Sequence, residues 1–178
     1  MSVHPSVAAL RARFGAALTA TAESCGDTIV WVAPGQLLEI LAWLRDDPAQ
    51  AYDYLVDITA VEYRDLELPL EVVWQLRSLP HGRDLRVKVA LDKVGPLDVP
   101  SVFDLWKGAD WLEREVYDMF GVRFAGHPDL RRILMWEAFH EGLPLRKDLP
   151  LRGLVSRAEQ TRQALAELAG AGVPMDRL

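Results

Sequence analysis

The sequence predicts an α+β fold of two layers, a mainly antiparallel mixed sheet covered by helices, followed by an irregular C-terminal extension and a terminal helix. Three observations carry this expectation. Leu70, Val72, Trp74 and Leu76 alternate with Glu71, Gln75 and Arg77, and Leu85, Val87, Val89 and Leu91 alternate with Arg86 and Lys88. A period of two puts the apolar set on one face of a strand and leaves the other face wet. Earlier in the chain, apolar residues recur at helical spacing and can supply the cover for the dry face. After Leu134, by contrast, Gly142, Pro144, Pro150 and Gly153 stand too close together for long regular elements.

Taken in order, Val7, Leu10, Phe14 and Leu18 make the first helical stripe, with Ser6 as its N-cap and Gly26-Asp27 as its breaker. Thr28 to Val32 is a β-branched run suited to a buried strand. Ala33-Pro34-Gly35 opens a second helix, striped by Leu37, Ile40, Leu41 and Leu44 and stopped by Asp46-Asp47-Pro48. Tyr52 to Tyr63 reads as a long strand, and Pro80, His81 and Gly82 join the two alternating segments as a hairpin. Val94-Gly95-Pro96 and Pro100 end the sheet, Ser101 caps a short helix through Trp106, and Lys107-Gly108 interrupts it before a longer helix. Ser156 with Glu159 forms a capping box for a last helix that ends at Gly170, thinly amphipathic because its apolar residues are mostly Ala, with Leu165 and Leu168. The expected division is a domain over 1–134 and an extended loop with a docking helix over 135–178.

A chain of 178 residues, 50% hydrophobic and 26% charged, fits an ordinary globular protein with one core. Its net charge of −6 argues against nucleic acid as a partner, because phosphate binding needs a basic footprint. The single cysteine, Cys25, provides neither a disulfide framework nor a cysteine-ligated zinc or iron–sulfur centre, and a reducing compartment suits it. The N-terminal stretch lacks the apolar core of a signal peptide, and no apolar run approaches the roughly 20 residues of a membrane span. Membrane association is therefore expected only through other proteins.

Ionisable and aromatic residues concentrate between Trp111 and Leu134. On a helix, Glu115 and Asp118 share a face with Trp111 and Val122, so a hydrolase could be drawn around this carboxylate pair. No nucleophile stands beside them, however, and Arg114, Arg123, Arg131 and Arg132 lie in the same segment, so structural ion pairing of Glu113, Glu115 and Asp118 is the favoured reading. His127, Glu137, His140 and Glu141 match no zinc spacing, and His127 before Pro128 suits capping of backbone groups better than metal binding. Gly121 and Gly126 lack the spacing of a dinucleotide fingerprint. They read instead as a left-handed helix cap and a turn into the His-Pro corner. Six tryptophans beside so few reactive groups suggest packing area, and planar Arg146 and Arg152 in the proline-bounded loop suit carboxylates of another subunit.

The run Glu113-Arg114-Glu115-Val116-Tyr117-Asp118-Met119-Phe120-Gly121-Val122, with Phe124, Gly126-His127-Pro128 and Leu130-Arg131-Arg132-Ile133-Leu134, closely resembles the thirty-kilodalton subunit family of respiratory complex I, whose bacterial members are the C subunits of NADH:quinone oxidoreductase. The likeness continues at Gly142, Pro144-Leu145-Arg146-Lys147-Asp148 and Pro150, and upstream at Asp57 to Val61 and Ser101 to Trp106; it covers roughly residues 28 to 153 and departs at Leu143 and Leu149, where family members often carry His and Tyr. The resemblance implies a cofactor-free structural subunit on the cytoplasmic side of the bacterial plasma membrane, in the peripheral arm. Its neighbours would be the quinone-site subunit, which is like a hydrogenase large subunit, the small iron–sulfur subunit and other arm subunits. FMN and iron–sulfur clusters would sit in those partners, with NADH and quinone as substrates of the whole proton-translocating complex. Equivalent scaffolds in membrane-bound hydrogenases and ferredoxin-fed complexes are the alternative of the same shape. The residues that the resemblance marks as interface or structural motif are Glu113, Arg114, Glu115, Tyr117, Asp118, Phe120, Gly121, Gly126, His127, Pro128, Arg131, Arg132, Pro144, Arg146, Lys147 and Asp148.

Overall fold

The two alternating segments form the middle of a five-stranded sheet. The computed structural model describes residues 4–64, 69–136, 139–151 and 153–170, apart from the side chain of Leu168; Glu137, Arg152 and that side chain, which entered the sequence reading, lie outside the described residues. Strands β1 (Leu18–Ser24), β2 (Asp27–Val32), β3 (Tyr54–Glu62), β4 (Leu70–Ser78) and β5 (Arg83–Leu91) are arranged in the order β1-β2-β5-β4-β3. All neighbours are antiparallel except β2 and β5, which run parallel and are joined by a long crossover that contains a 3-10 turn, a ten-residue helix and strands β3 and β4. Leu70, Val72, Trp74 and Leu76 of β4 and Leu85, Val87 and Val89 of β5 are sealed from solvent. They share one apolar cluster with Val7 and Leu10 of helix α1 (Pro5–Phe14) and Leu37, Ile40, Leu41 and Leu44 of helix α2 (Leu37–Asp46). Burial of each such side chain stabilises the fold by about 1.5–3 kcal/mol, so the two early helices are the expected cover.

Four local expectations are corrected. Ser6 is not the cap of α1: the His4 ring accepts its N–H at 3.3 Å, and the Ser6 hydroxyl meets the Tyr52 hydroxyl at 2.8 Å inside the core. The first helix also does not reach Gly26. Gly15, at φ 35°, turns the chain after Phe14, and the Thr/Ala run that follows becomes β1, joined to β2 by a two-residue turn in which Cys25 (φ 53°) and Gly26 (φ 90°) both adopt the positive φ of a hairpin. Pro100 does not end all pairing, because β6 (Asp98–Pro100) lies parallel to β7 (Arg123–Ala125) in a small second sheet. Finally, the 101–106 segment is a turn rather than a helix, with the N–H groups of Leu105 and Trp106 donating to the Val102 carbonyl at 2.9 and 3.0 Å.

The second face of the sheet is less wet than its pattern suggests. Glu71 on that face is 6% exposed and accepts from Trp31 Nε1 at 2.6 Å, Tyr63 Oη at 2.7 Å and Lys88 Nζ at 2.8 Å. Burial works to raise the Glu71 carboxyl, but these donors outweigh it and hold it below its ordinary value. Burial and the bond to Glu71 push the Tyr63 hydroxyl up to about 12. The last helix, α4 (Arg157–Gly170), begins where expected, with the Glu159 N–H donating to the Ser156 hydroxyl at 3.3 Å.

Candidate functional site

The charged motif lies on helix α3 (Ala109–Phe120) and the turns after it. Val116, Met119 and Phe120 face the core with 6% exposure or less, and the helix packs against β3. Trp111 and Glu115 point to solvent on the opposite side. Gly121 closes the helix in the left-handed conformation, φ 79° and ψ 14°, its N–H donating to the Tyr117 carbonyl at 2.9 Å, as the sequence predicts. Gly121 is also a socket: a Cβ there would stand 2.6 Å from Leu143 Cδ1 of the downstream loop. Gly126, at φ 88°, turns the chain toward His127 and the exposed Pro128.

Asp118 is the hub. Its carboxyl is fully buried, and one oxygen accepts the backbone N–H groups of Ile133, Leu134 and Met135 at 3.1, 2.8 and 2.9 Å. The other oxygen is 3.3 Å from Arg132 Nε, an ion pair rather than an aligned hydrogen bond. Arg132 in turn donates to the carbonyls of Phe139 and Gly142 at 2.9 and 3.1 Å, which ties the downstream loop to the helix. Arg114 clamps the other side of the turn through the carbonyls of Arg131 and Arg132, each at 3.2 Å. The expected acid–arginine pairing thus holds for Asp118 with Arg132. Arg114 binds carbonyls instead, Arg131 pairs with Asp129 at 2.8 Å, and Arg123 is exposed at the start of β7.

Glu113 follows a different logic from the one its neighbours suggest. Fully buried, it accepts the Ser101 hydroxyl and the Val102 N–H, both at 2.7 Å, and so fixes the turn after β6. Burial pushes its carboxyl above the ordinary carboxylate range, against the pull of those two donors. His127, whose ring is sealed from solvent, accepts the Asp129 N–H on Nδ1 at 3.0 Å. That bond places the ring proton on Nε2, which faces the Asp110 carbonyl at 3.2 Å and lies 4.0 Å from Glu113. The predicted role of His127 in capping backbone is therefore met.

Sequence reasoning missed the residues that hold the downstream loop. Glu62, at the end of β3, accepts the Lys147 N–H at 2.7 Å and lies 3.3 Å from Arg146 Nε. Arg146 thus stands beside a carboxylate of its own chain, a pairing that the sequence reading did not include; no local signal links positions so far apart in sequence. The Leu145 N–H donates to the Met119 carbonyl at 3.1 Å, while Pro144 is half-buried and the side chains of Lys147 and Asp148 are exposed. Further on, Glu141 accepts N–H groups from Leu154 and Val155 and the amide of Gln160, tying the loop to α4.

Chemically, this arrangement fixes backbone. Glu115 lies in solvent while Asp118 is buried with one oxygen holding three amides and the other beside Arg132, so the two do not form the pair a hydrolase would need. The loose metal set is dispersed among other tasks: His127 and Glu141 hold backbone, and His140 is exposed 3.8 Å from Glu167. Among the described residues no group of three or more His, Cys, Asp or Glu side chains is placed to hold a metal ion.

Fold and site together define an α+β module in which the ionisable groups of one helix serve as anchors for the turns around it. The family model described as the 30 Kd subunit of respiratory-chain NADH dehydrogenase matches residues 30–155. The C 2 subunit of the NADH-quinone oxidoreductase of Rhizobium etli (strain CIAT 652) is 40% identical over 184 residues, covering 99% of this chain and 97% of that one. Among solved structures, the trypsin-resistant fragment (1-134) of Nqo5 is 31% identical with a TM-score of 0.60, covering 70% of this chain and 96% of the fragment. A chain of an archaeal respiratory membrane complex, the membrane-bound sulfane sulfur reductase, shares the fold at 21% identity and a TM-score of 0.62, covering 82% of this chain and 85% of its own. The chain belongs to the 30 kDa subunit family of respiratory-chain NADH dehydrogenase.

Proposed function

We propose that the chain is a structural subunit in the peripheral arm of a proton-translocating NADH:quinone oxidoreductase, which positions its neighbours while electrons pass from NADH through FMN and iron–sulfur clusters in other subunits to quinone. Family membership and the relatives' names support the assignment to this multisubunit oxidoreductase. The observation that carries the scaffold role is the set of large apolar side chains left exposed around the motif and along the arm: Trp111 at 68%, Leu134 at 56%, Trp136 at 42%, Leu145 at 48%, Leu154 at 66% and a fully exposed Leu151. Exposed apolar side chains of this size suit docking on a partner. In this reading residues 1–134 form the body and 135–178 the docking arm, and the sixteen motif residues shape the interface. This chain binds no cofactor of its own. Its neighbours are the quinone-site subunit and the small iron–sulfur subunit on the cytoplasmic side of the membrane. In this reading the bilayer is reached through those partners; among the described residues no helix is long and apolar enough to cross a membrane.

Arg146→Ala and Asp118→Ala test the proposal. Each is expected to lower the amount of assembled complex, measured on native gels, more than NADH:quinone turnover per assembled unit. Full assembly with lost turnover would overturn it.

A further inference from the structure

We infer that one internal water molecule is bound beneath the end of the β4–β5 hairpin, where it bridges Ser78, Arg83 and Gln50 and joins that end of the sheet to the loop between α2 and β3. The site goes beyond the proposed function and does not depend on it. Three buried polar atoms define it. Ser78 Oγ, Arg83 Nε and Gln50 Oε1 are each shielded from solvent and have no hydrogen-bond partner among the described residues. Ser78 is sealed and Gln50 is 5% exposed. Polar atoms this deep are costly to leave unpaired, and where the protein supplies no partner an ordered water commonly does.

The fold brings the three residues to one place. Ser78 and Arg83 stand directly opposite each other in the β4–β5 ladder, so their side chains leave the sheet on the same face. That face is the covered one, because Leu76 and Leu85, two positions further along each strand, are sealed in the core. The loop over residues 47–53 lies across the same end. Arg83 Nη2 donates to the Ala49 carbonyl at 2.7 Å, His81 Nε2 stands 3.0 Å from the Pro48 carbonyl, and the Leu79 N–H donates to Asp53 Oδ1 at 3.1 Å. Gln50 follows Ala49 directly, its own N–H held by the Asp47 carbonyl at 2.9 Å. The Tyr52 hydroxyl, two positions on, is spent on Ser6 at 2.8 Å.

Polarity selects the occupant. The guanidinium N–H only donates, the amide oxygen only accepts, and the serine hydroxyl does either. A water accepts from the first, donates to the second and meets the third with the capacity that remains, which makes the three bonds usual for an internal water. An anion would face the Gln50 oxygen, and a metal cation would face the Arg83 guanidinium, so neither suits the set. The bridge adds a tie between loop and hairpin to those made by the Ala49 and Pro48 carbonyls.

A density map of the full-length chain that resolves ordered waters, taken alone or within its complex, tests this. The expected result is one water at about 2.7–3.2 Å from each of the three atoms. A direct bond between any two of them, an ion in place of the water, or no density between them overturns the inference. Urea titrations of Ser78→Ala, Gln50→Leu and the double variant give an independent reading. Each single change is expected to lower the folding equilibrium constant about five- to tenfold. The double change should lower it by clearly less than the product of the two, because both side chains act through one water. A full product overturns the bridge. Each of these failures leaves the proposed function standing.

Discussion

At the scale of single residues, the crowded charges of the motif resolve into anchors with separate duties. Asp118 collects three amides, Arg114 two carbonyls, and Glu113 one hydroxyl and one amide. A buried amide left without its acceptor costs about 1–3 kcal/mol, so these polar side chains matter to the fold as much as apolar ones do. Glu113 differs from Asp118 in a way that pH reveals. Its folded-state carboxyl lies above its ordinary value, so the stabilisation it brings is present in full below that ordinary value and is lost as pH rises through the raised one. Glu113→Gln keeps an oxygen for the Val102 N–H and an amide that can donate to Ser101. The variant is expected to lack this loss, so that its stability relative to the parent, from urea titrations at several pH values, improves as pH rises above the ordinary carboxylate range. A constant difference across that range would count against the assignment. The density of charge here is plain in the sequence, but the partners are not, because acid–arginine pairing is the nearest-neighbour guess whereas most of the motif's ties run to backbone. Only the turn geometry shows which amides and carbonyls converge.

At the scale of elements, legibility follows the strength of periodicity. The strands at 70–78 and 83–91, the second helix and α3 with its glycine cap are found where the spacing puts them. β1 reads as helix because Leu18 extends the helical stripe of Val7, Leu10 and Phe14, and because the Ala/Thr run after it carries no apolar alternation on an edge with both faces largely exposed. A hairpin signal does exist in Cys25-Gly26, with glycine at the second turn position, but cysteine is an unusual occupant of the first. The three-residue strands β6 and β7 are too short to leave any periodic trace. The contact of Leu143 with Gly121 gives an element-level prediction. Gly121→Ala meets both a positive φ and a 2.6 Å approach to Leu143 Cδ1, and is expected to destabilise by about 1–3 kcal/mol. In a double-mutant cycle, Leu143→Ala should relieve the steric share and leave the backbone share. Strict additivity of the two changes would show that the socket is not felt.

At the scale of the molecule, the proposed arm is tied to the body, among the described residues, by separate polar contacts along its length. Arg146 and Lys147 reach back to Glu62, Leu145 to Met119, and Glu141 gathers the start of α4, while Lys147, Leu151, Leu154 and Arg157 stand exposed. Trypsin acting on the isolated chain is therefore expected to cut first after Lys147 and Arg157. It should spare the bond after Arg131, whose carbonyl Arg114 holds, even though the Arg131 side chain is 66% exposed. Mass spectrometry of the early fragments checks this, and an early cut within 109–134 would contradict it. In the assembled complex the same sites on the arm should be slow.

The triple amide bond to Asp118 also bears on the order in which the chain folds. The helix that carries the carboxylate and the amides it collects lie within 15 to 17 positions of one another, so this knot closes a short loop and needs no strand of the sheet to be in place. The Glu62 tie, by contrast, spans 85 positions and waits for β3. On synthesis, the motif can therefore set its shape as a local unit before the arm finds the body, and it can keep that shape when the arm lets go.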